Sequence, residues 1–355
     1  MNRVGRNIFT VLRIAIAIGL LGYLGWSGAI NWSALKGLMA AWPITLLALL
    51  VWLLAIVVSA WRLCVLLRPH GFHLSLVSSF RLTLMGVFFN NCLPGGTGGD
   101  VVKIYYAAEG NRGRRTEVAT VLLLDRAVGM FAMLLWPLLA APLFPGMIAS
   151  SSLLQGLLWM AGAVWVVMLL CMLVSLSSRV RQSRFVCWTF RTLPLGRYAE
   201  QVFDTVHYYR HNLGTLLAAV AISLLGLTIN VGVMLLIAQA VAPTGFAWEM
   251  SMLLPLGLLA NALPVTPGGL GVGEASLNKL FAVAGLTGGA EIMLGWRMLT
   301  MLSGMIGLVF YLQRRQIFHE GIALSAGGER RVVLPVPIGG SPRTYPGNTI
   351  EGGRF

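Results

Sequence analysis

The chain has 355 residues, of which 57% are hydrophobic and only 11% charged, against about 25% charged in an ordinary soluble domain. With a mean hydropathy of +0.79, it holds too few charges to cover a water-facing surface, which excludes a soluble enzyme, a secreted disulfide scaffold and a disordered regulator. The net charge of +14 argues against a nucleic-acid partner by its placement, because the basic residues collect between apolar runs with no aromatic-interleaved groove beside them.

A hydrocarbon layer about 30 Å thick takes about 20 apolar residues of helix. In chain order, residues 8–26, 44–61, 118–141, 154–176, 216–241 and 292–312 each qualify as a span. The first follows Arg3 and Arg6, contains Arg13 and lacks a clear small-residue cleavage site, so it reads as an uncleaved anchor. Two further apolar regions, about 75–110 and 250–286, are broken near their middles. Pro94 with Gly95, Gly96, Gly98 and Gly99 breaks the first; Pro264 and Pro267 with Gly268, Gly269, Gly271 and Gly273 break the second.

The positive-inside bias decides how these regions run. Arg3 and Arg6 place the amino terminus in the cytoplasm, Lys36 alone marks an outer loop, and Arg62, Arg68 and Arg81 return the chain inside. Lys103, Arg112, Arg114 and Arg115 follow the first broken region, which therefore enters and leaves on the cytoplasmic side. The uncharged stretch 142–153 reads as external, the arginine-rich stretch 177–213 as cytoplasmic, and 242–250 as external again. Arg314 and Arg315 follow the last span, so the second broken region is re-entrant from outside and both termini are cytoplasmic. Residues 179–213 mix arginines with Phe185, Trp188 and Phe190, and read either as helices on the membrane interface or as a plain surface linker. The tail after about Glu320 is rich in Gly, Pro and Arg and is expected to be disordered.

The two broken regions repeat one another. Residues 91–99 and 261–269 share N-x-L-P-x-x-x-G-G at an offset of 170; each copy then has an acid, Asp100 or Glu274, and an arginine in the next span, Arg126 or Arg297. Inverted repeats of broken helices are a transporter signature, with the site near mid-membrane where the half-helices meet. The sequence N-x-L-P-G-G-x-G-G-D at 91–100, Asp125-Arg126, and L-P-V-T-P-G-G-L-G-V-G-E at 263–274 resemble the lysylphosphatidylglycerol synthase transmembrane-region family of flippase-like membrane proteins. That resemblance implies translocation of lipids, including aminoacylated phospholipid, or a place in polyprenol-linked glycan or hopanoid pathways. Lipid-lysylating members carry an additional soluble transferase domain, which nothing after residue 320 resembles.

The expected fold is all-α: a polytopic membrane protein with about six transmembrane helices plus two re-entrant broken hairpins forming an inverted repeat. Its parts are an anchor helix and external loop (1–43), a first repeat (44–141), a connecting span with basic interfacial helices (142–213), a second repeat (214–313) and a cytoplasmic tail (314–355). Substrate-binding candidates are Arg126, Arg297, Asn91, Gly98, Gly99, Asn261, Gly268, Gly269 and Gly271. Half-helices starting near Gly99 and Gly271 would offer free N–H groups to a phosphate. The arginines read as headgroup ligands or as partners of Asp100 and Glu274, because an intramembrane arginine needs a partner or a cavity. Asn91 and Asn261 either satisfy free carbonyls at the ends of the first half-helices or touch ligand. Asp100, Glu274 and Asp125 are candidates for coupling or helix capping, and Asp125 cannot face the same way as Arg126.

No catalytic residue is expected. No metal or cofactor is expected either, since Cys64, Cys92, Cys171 and Cys187 form no CxxC pair and the five histidines no ligand cluster. The expected function is a multi-pass flippase of the cell membrane, in a prokaryote the inner membrane, for an anionic lipid or lipid-linked substrate. A membrane transferase, an accessory subunit partnered with a lipid- or glycan-synthesis enzyme, and a secondary transporter of a small anion are the alternatives. Oligomeric state is not legible.

Overall fold

The computed structural model describes residues 36, 37, 39–92, 98–109, 114–178, 196–241, 247–262, 271–313 and 322–324. The expected first span at 8–26, both hairpin tips (93–97 and 263–270) and most of the tail lie outside the described residues. Among those described, the helices are α1 (Trp42–Leu67), α2 (Leu76–Cys92), α3 (Gly98–Glu109), α4 (Arg115–Ala140), the short α5 (Pro145–Ala149), α6 (Ser152–Leu176), α7 (Gly196–Tyr208), α8 (Leu213–Val241), α9 (Met250–Asn261), α10 (Val272–Val283) and α11 (Gly289–Leu312). Five of them, α1, α4, α6, α8 and α11, are long and apolar enough to cross a membrane. The protein is thus all-α and polytopic. Its helix ends follow local chemistry: Pro43 opens α1, and the Ser151 hydroxyl caps α6 by accepting from Leu154 N–H at 3.3 Å.

The ends of the helices sort into two groups. Near the end of α1, His70 Nδ1 lies 2.8 Å from Glu117 in the first turn of α4, and the Tyr209 hydroxyl, just before α8, donates to Leu66 O at 2.6 Å. Arg81 early in α2 stacks over Phe310 late in α11, 5.6 Å from the ring centroid. So α2 and α3 start and finish at the end of the bundle where α1 and α11 finish. At the other end, Trp136 Nε1–H late in α4 donates to Ser251 O early in α9 at 3.0 Å, and residue 37 lies beside Val241 at the end of α8.

The neighbour pattern is two-fold. Matching α1 with α8, α2 with α9, α3 with α10 and α4 with α11, every packed pair among these eight helices has its counterpart: α2 on α11 mirrors α9 on α4, and α8 on α4 mirrors α1 on α11. The central self-matched pair is α1 on α8. Both hairpins cross at matched glycines. In α2 against α3 these are Gly86 and Gly99; in α9 against α10 they are Gly257 and Gly273. A Cβ on Gly99 would lie 1.9 Å from Gly86 O, and one on Gly273 would lie 2.6 Å from Asn261 Oδ1.

This pairing corrects the register of the sequence repeat. Gly98 and Gly99 align in sequence with Gly268 and Gly269, whereas Gly99 and Asp100 correspond in space to Gly273 and Glu274. The second tip is longer, so a match without gaps stops at the tip. The charge map also changes: Arg62 and Arg81, expected in a loop, lie inside α1 and α2, and Lys103 lies inside α3. Arg68, Arg114 and Arg115 remain at helix ends. The tail is not wholly unordered either, since Ile322–Leu324 pairs antiparallel with Phe72–Leu74. That short ladder sets residues 322–324 beside the strand that follows α1.

Helix α11 also packs closely on α2. A Cβ on Gly307 would lie 2.1 Å from Leu84 O, and one on Gly304 would lie 3.2 Å from Phe88 Cα. Small residues allow such approach where lipid supplies no hydrophobic drive between helices. Gly307→Ala is expected to lower stability by about 1–3 kcal/mol because backbone must move, while Gly156→Ala, with nothing near its added methyl, leaves it unchanged. Thermal unfolding of the two variants in detergent checks this.

Candidate functional site

Each repeat brings an acid, an asparagine and an arginine to the inner end of its hairpin. In the second, Arg297 Nε donates to Glu274 Oε1 at 2.8 Å and its Nη2 to Asn261 Oδ1 at 3.1 Å. Arg297 is only 2% exposed. The other oxygen of Glu274 accepts the Gly271 N–H at 2.8 Å, so one carboxylate both closes the start of α10 and neutralises the arginine. Gly271 itself has φ of 80°, the left-handed region that glycine tolerates.

In the first repeat Arg126 pairs with Asp100 in the opening turn of α3. This pair is more open, with side chains 30% and 24% exposed. Lys103, one turn beyond Asp100, has its Nζ 3.8 Å from the same carboxylate. Asn90, not Asn91, serves the start of α3: its Oδ1 accepts the Gly99 N–H at 2.8 Å. The N–H groups of Gly99 and Gly271, expected to face a phosphate, are thus taken by the chain's own side chains. Gly98 is the first residue of α3; Gly268 and Gly269 lie outside the described residues.

The two hairpins meet on α11. The Thr300 hydroxyl, with one proton to give, lies within reach of both Asn91 Oδ1 at 3.3 Å and Arg297 O at 2.8 Å. Asn91 and Asn261, at the ends of α2 and α9, therefore contact residues one turn apart near the middle of α11. Asn91 Nδ2 is buried without a hydrogen-bond partner among the described residues.

Asp125 caps no helix start, because it lies well inside α4. It is held by Arg62 of α1 through two bonds, Nε to Oδ1 at 2.7 Å and Nη2 to Oδ2 at 3.0 Å, while Arg62 Nη1 donates to Ser223 Oγ of α8 at 2.9 Å. Successive residues on a helix point about 100° apart, so Asp125 reaches α1 and Arg126 reaches α3. The second repeat does the same with neutral groups: Trp296, just before Arg297, donates to Asn230 of α8 at 3.2 Å. Arg62, Lys103, Asn90 and Thr300 were not singled out from sequence as site residues. The signal for Arg62 was available, since no helix breaker intervenes between Trp61 and Pro69.

Five apolar helices of spanning length, two glycine-crossed hairpins and paired charges at their inner ends define a polytopic membrane protein with a polar interior. A family model described as Lysylphosphatidylglycerol synthase TM region matches residues 10–307. The chain belongs to this family, and is an integral membrane protein tied to lipid metabolism or transport. Neither the curated proteins nor the solved structures compared with the chain give a match.

The two ion pairs differ in what their loss costs. Replacing Arg297 by Met leaves Glu274 charged and buried, and is expected to cost about 3–5 kcal/mol. Replacing Arg126 by Gln leaves Asp100 beside Lys103 and partly exposed, and is expected to cost less than about 1 kcal/mol. Thermal melts of both variants in detergent, with Arg297→Met and Glu274→Met combined recovering part of the first loss, check the difference.

Proposed function

We propose that the protein is a flippase for an anionic lipid or lipid-linked substrate, whose headgroup crosses at mid-membrane between two re-entrant hairpins of an inverted repeat. One observation carries this reading: Asn91 and Asn261 end their half-helices on adjacent turns at the centre of α11. Interrupted backbone at that depth needs protein or a water-filled cavity around it, since each unsatisfied N–H or C=O in lipid costs several kcal/mol. The neighbour pattern supports two-fold repetition. The separate ends at which α2–α3 and α9–α10 begin support opposite entry, with the single span α6 between the repeats to invert the second.

In this mechanism the buried Arg297 and Glu274, with the half-buried Asn261, form a fixed anchor, already saturated. Arg126 is the exchangeable partner: an entering phosphate takes the place of Asp100 on its guanidinium, whose planar fork suits a phosphate. Protonation of the released Asp100 would then couple transport to a proton. Both termini lie in the cytoplasm of a cell-membrane protein, supported by Arg68, Arg114 and Arg115 at the end where the 72–74 and 322–324 strands pair. A lipid- or glycan-synthesis enzyme supplying the substrate fits this placement as a partner.

Purified protein in phosphatidylcholine vesicles with a fluorescent anionic lipid tests the reading. The wild type is expected to exchange that lipid between leaflets, and Arg126→Gln to lower the rate about tenfold or more while keeping its melting temperature. Equal rates in protein-containing and empty vesicles would overturn the flippase; an unchanged Arg126→Gln rate would overturn the role of the arginine.

A further inference from the structure

A cavity of about 250 Å³ lies between α1, α2, α3, α4 and α8, lined by Ser59, Arg62, Thr83, Lys103, Ser223 and Asn230 among others. Its position beside the first hairpin has no equivalent in the charges of the second. Lys103 lies across Gly86, where a Cβ would be 2.3 Å from its Cε; at the matched crossing Leu277 lies across Gly257, where a Cβ would be 2.8 Å from its Cδ1. One repeat therefore closes its glycine crossing with a leucine, and the other runs a cation through it toward the cavity.

The charges do not balance there. Arg62, Lys103 and Arg126 are three cations, against two carboxylates, Asp125 and Asp100. Asp125 accepts two bonds from Arg62 and Asp100 holds Arg126, leaving Lys103 only the 3.8 Å approach to an occupied carboxylate. Asp125 also acts on Lys103 electrostatically, but it is already held by two bonds from Arg62. A lysine out of water with no anion of its own is costly, and an arriving anion removes that cost. Hydroxyls and the Asn230 amide around it suit the polyol of a headgroup. The volume is below the usual 300–1,000 Å³ or so of a pocket for a drug-sized molecule, which suits a small headgroup.

We propose that this cavity is a phosphate-ester site, with Lys103 as the anchor of the phosphate and Arg62 and the surrounding hydroxyls orienting the rest of a small headgroup. The proposal rests on the flippase reading only for the source of the phosphate, a membrane lipid rather than a soluble ester. It makes the substrate path asymmetric, with headgroup recognition built by the first repeat.

Native mass spectrometry of the full-length protein, taken from nanodiscs of phosphatidylcholine with a minority of phosphatidylglycerol, reads the site directly. The wild type is expected to retain phosphatidylglycerol selectively, Lys103→Gln to retain it about tenfold less, and Lys103→Arg to restore retention. Retention by Lys103→Gln equal to the wild type, or no selectivity in the wild type, would overturn the site. Resistance of the bound lipid to glycerol phosphate supports the lipid as ligand; displacement at matching concentration overturns that source in favour of a soluble ester. Leaflet exchange is measured on the same samples. Exchange without Lys103-dependent retention removes the cavity and leaves the flippase, whereas Lys103-dependent retention without exchange removes the flippase and leaves the site.

Discussion

A charge inside a hydrocarbon layer is costly unless another answers it, and three such pairs organise the protein. Arg297 with Glu274 and Arg126 with Asp100 each tie a long helix to the hairpin helix before it, and Arg62 with Asp125 ties α1 to α4, a pairing that the sequence did not suggest. Once those pairs form, α4 is fixed to α1 on one side and to α3 on the other, and α11 is fixed to α10. The glycine crossings let the hairpins fold tightly enough for the pairs to close. Removing a charge thus affects architecture and function together, and the degree depends on how deeply the pair is buried.

The two repeats share a frame but differ in how they spend it. The second is sealed: its arginine is buried, its acid also closes a helix start, and Leu277 fills its crossing. The first is looser, with an ion pair about a quarter to a third exposed and a lysine in place of the leucine. In the proposed mechanism the sealed half is the fixed part and the looser half is the one that exchanges partners. Thr300 links them, its hydroxyl within reach of Asn91 of one hairpin and of the backbone of Arg297, which holds the other.

Much of this was legible in the residues. Apolar length located all five described spans, to within a few residues except at the end of α1, which runs on to Leu67, and the N-x-L-P motif with its following acid and arginine pointed to the positions that pair in space. What stayed hidden depended on register and partner choice. A longer second tip shifted the glycine match, so Gly273 rather than Gly269 corresponds to Gly99. Arg62, Arg81 and Lys103 looked like loop charges because hydropathy falls at a charge whether or not the helix continues, and Asp125 gave no hint that its partner stands in α1. The strand at 322–324 is too short for periodicity to reveal.

The central claim is that the two half-helix ends converge at mid-depth. A distance measurement between spin labels at Cys92 and at Ala262→Cys, in membrane-embedded protein with the other native cysteines replaced by serine, tests it most directly. A separation well under the hydrocarbon thickness of about 30 Å is predicted, because these sites adjoin Asn91 and Asn261 on neighbouring turns of α11. A separation near or above that thickness would place the hairpin ends at opposite surfaces and contradict the account.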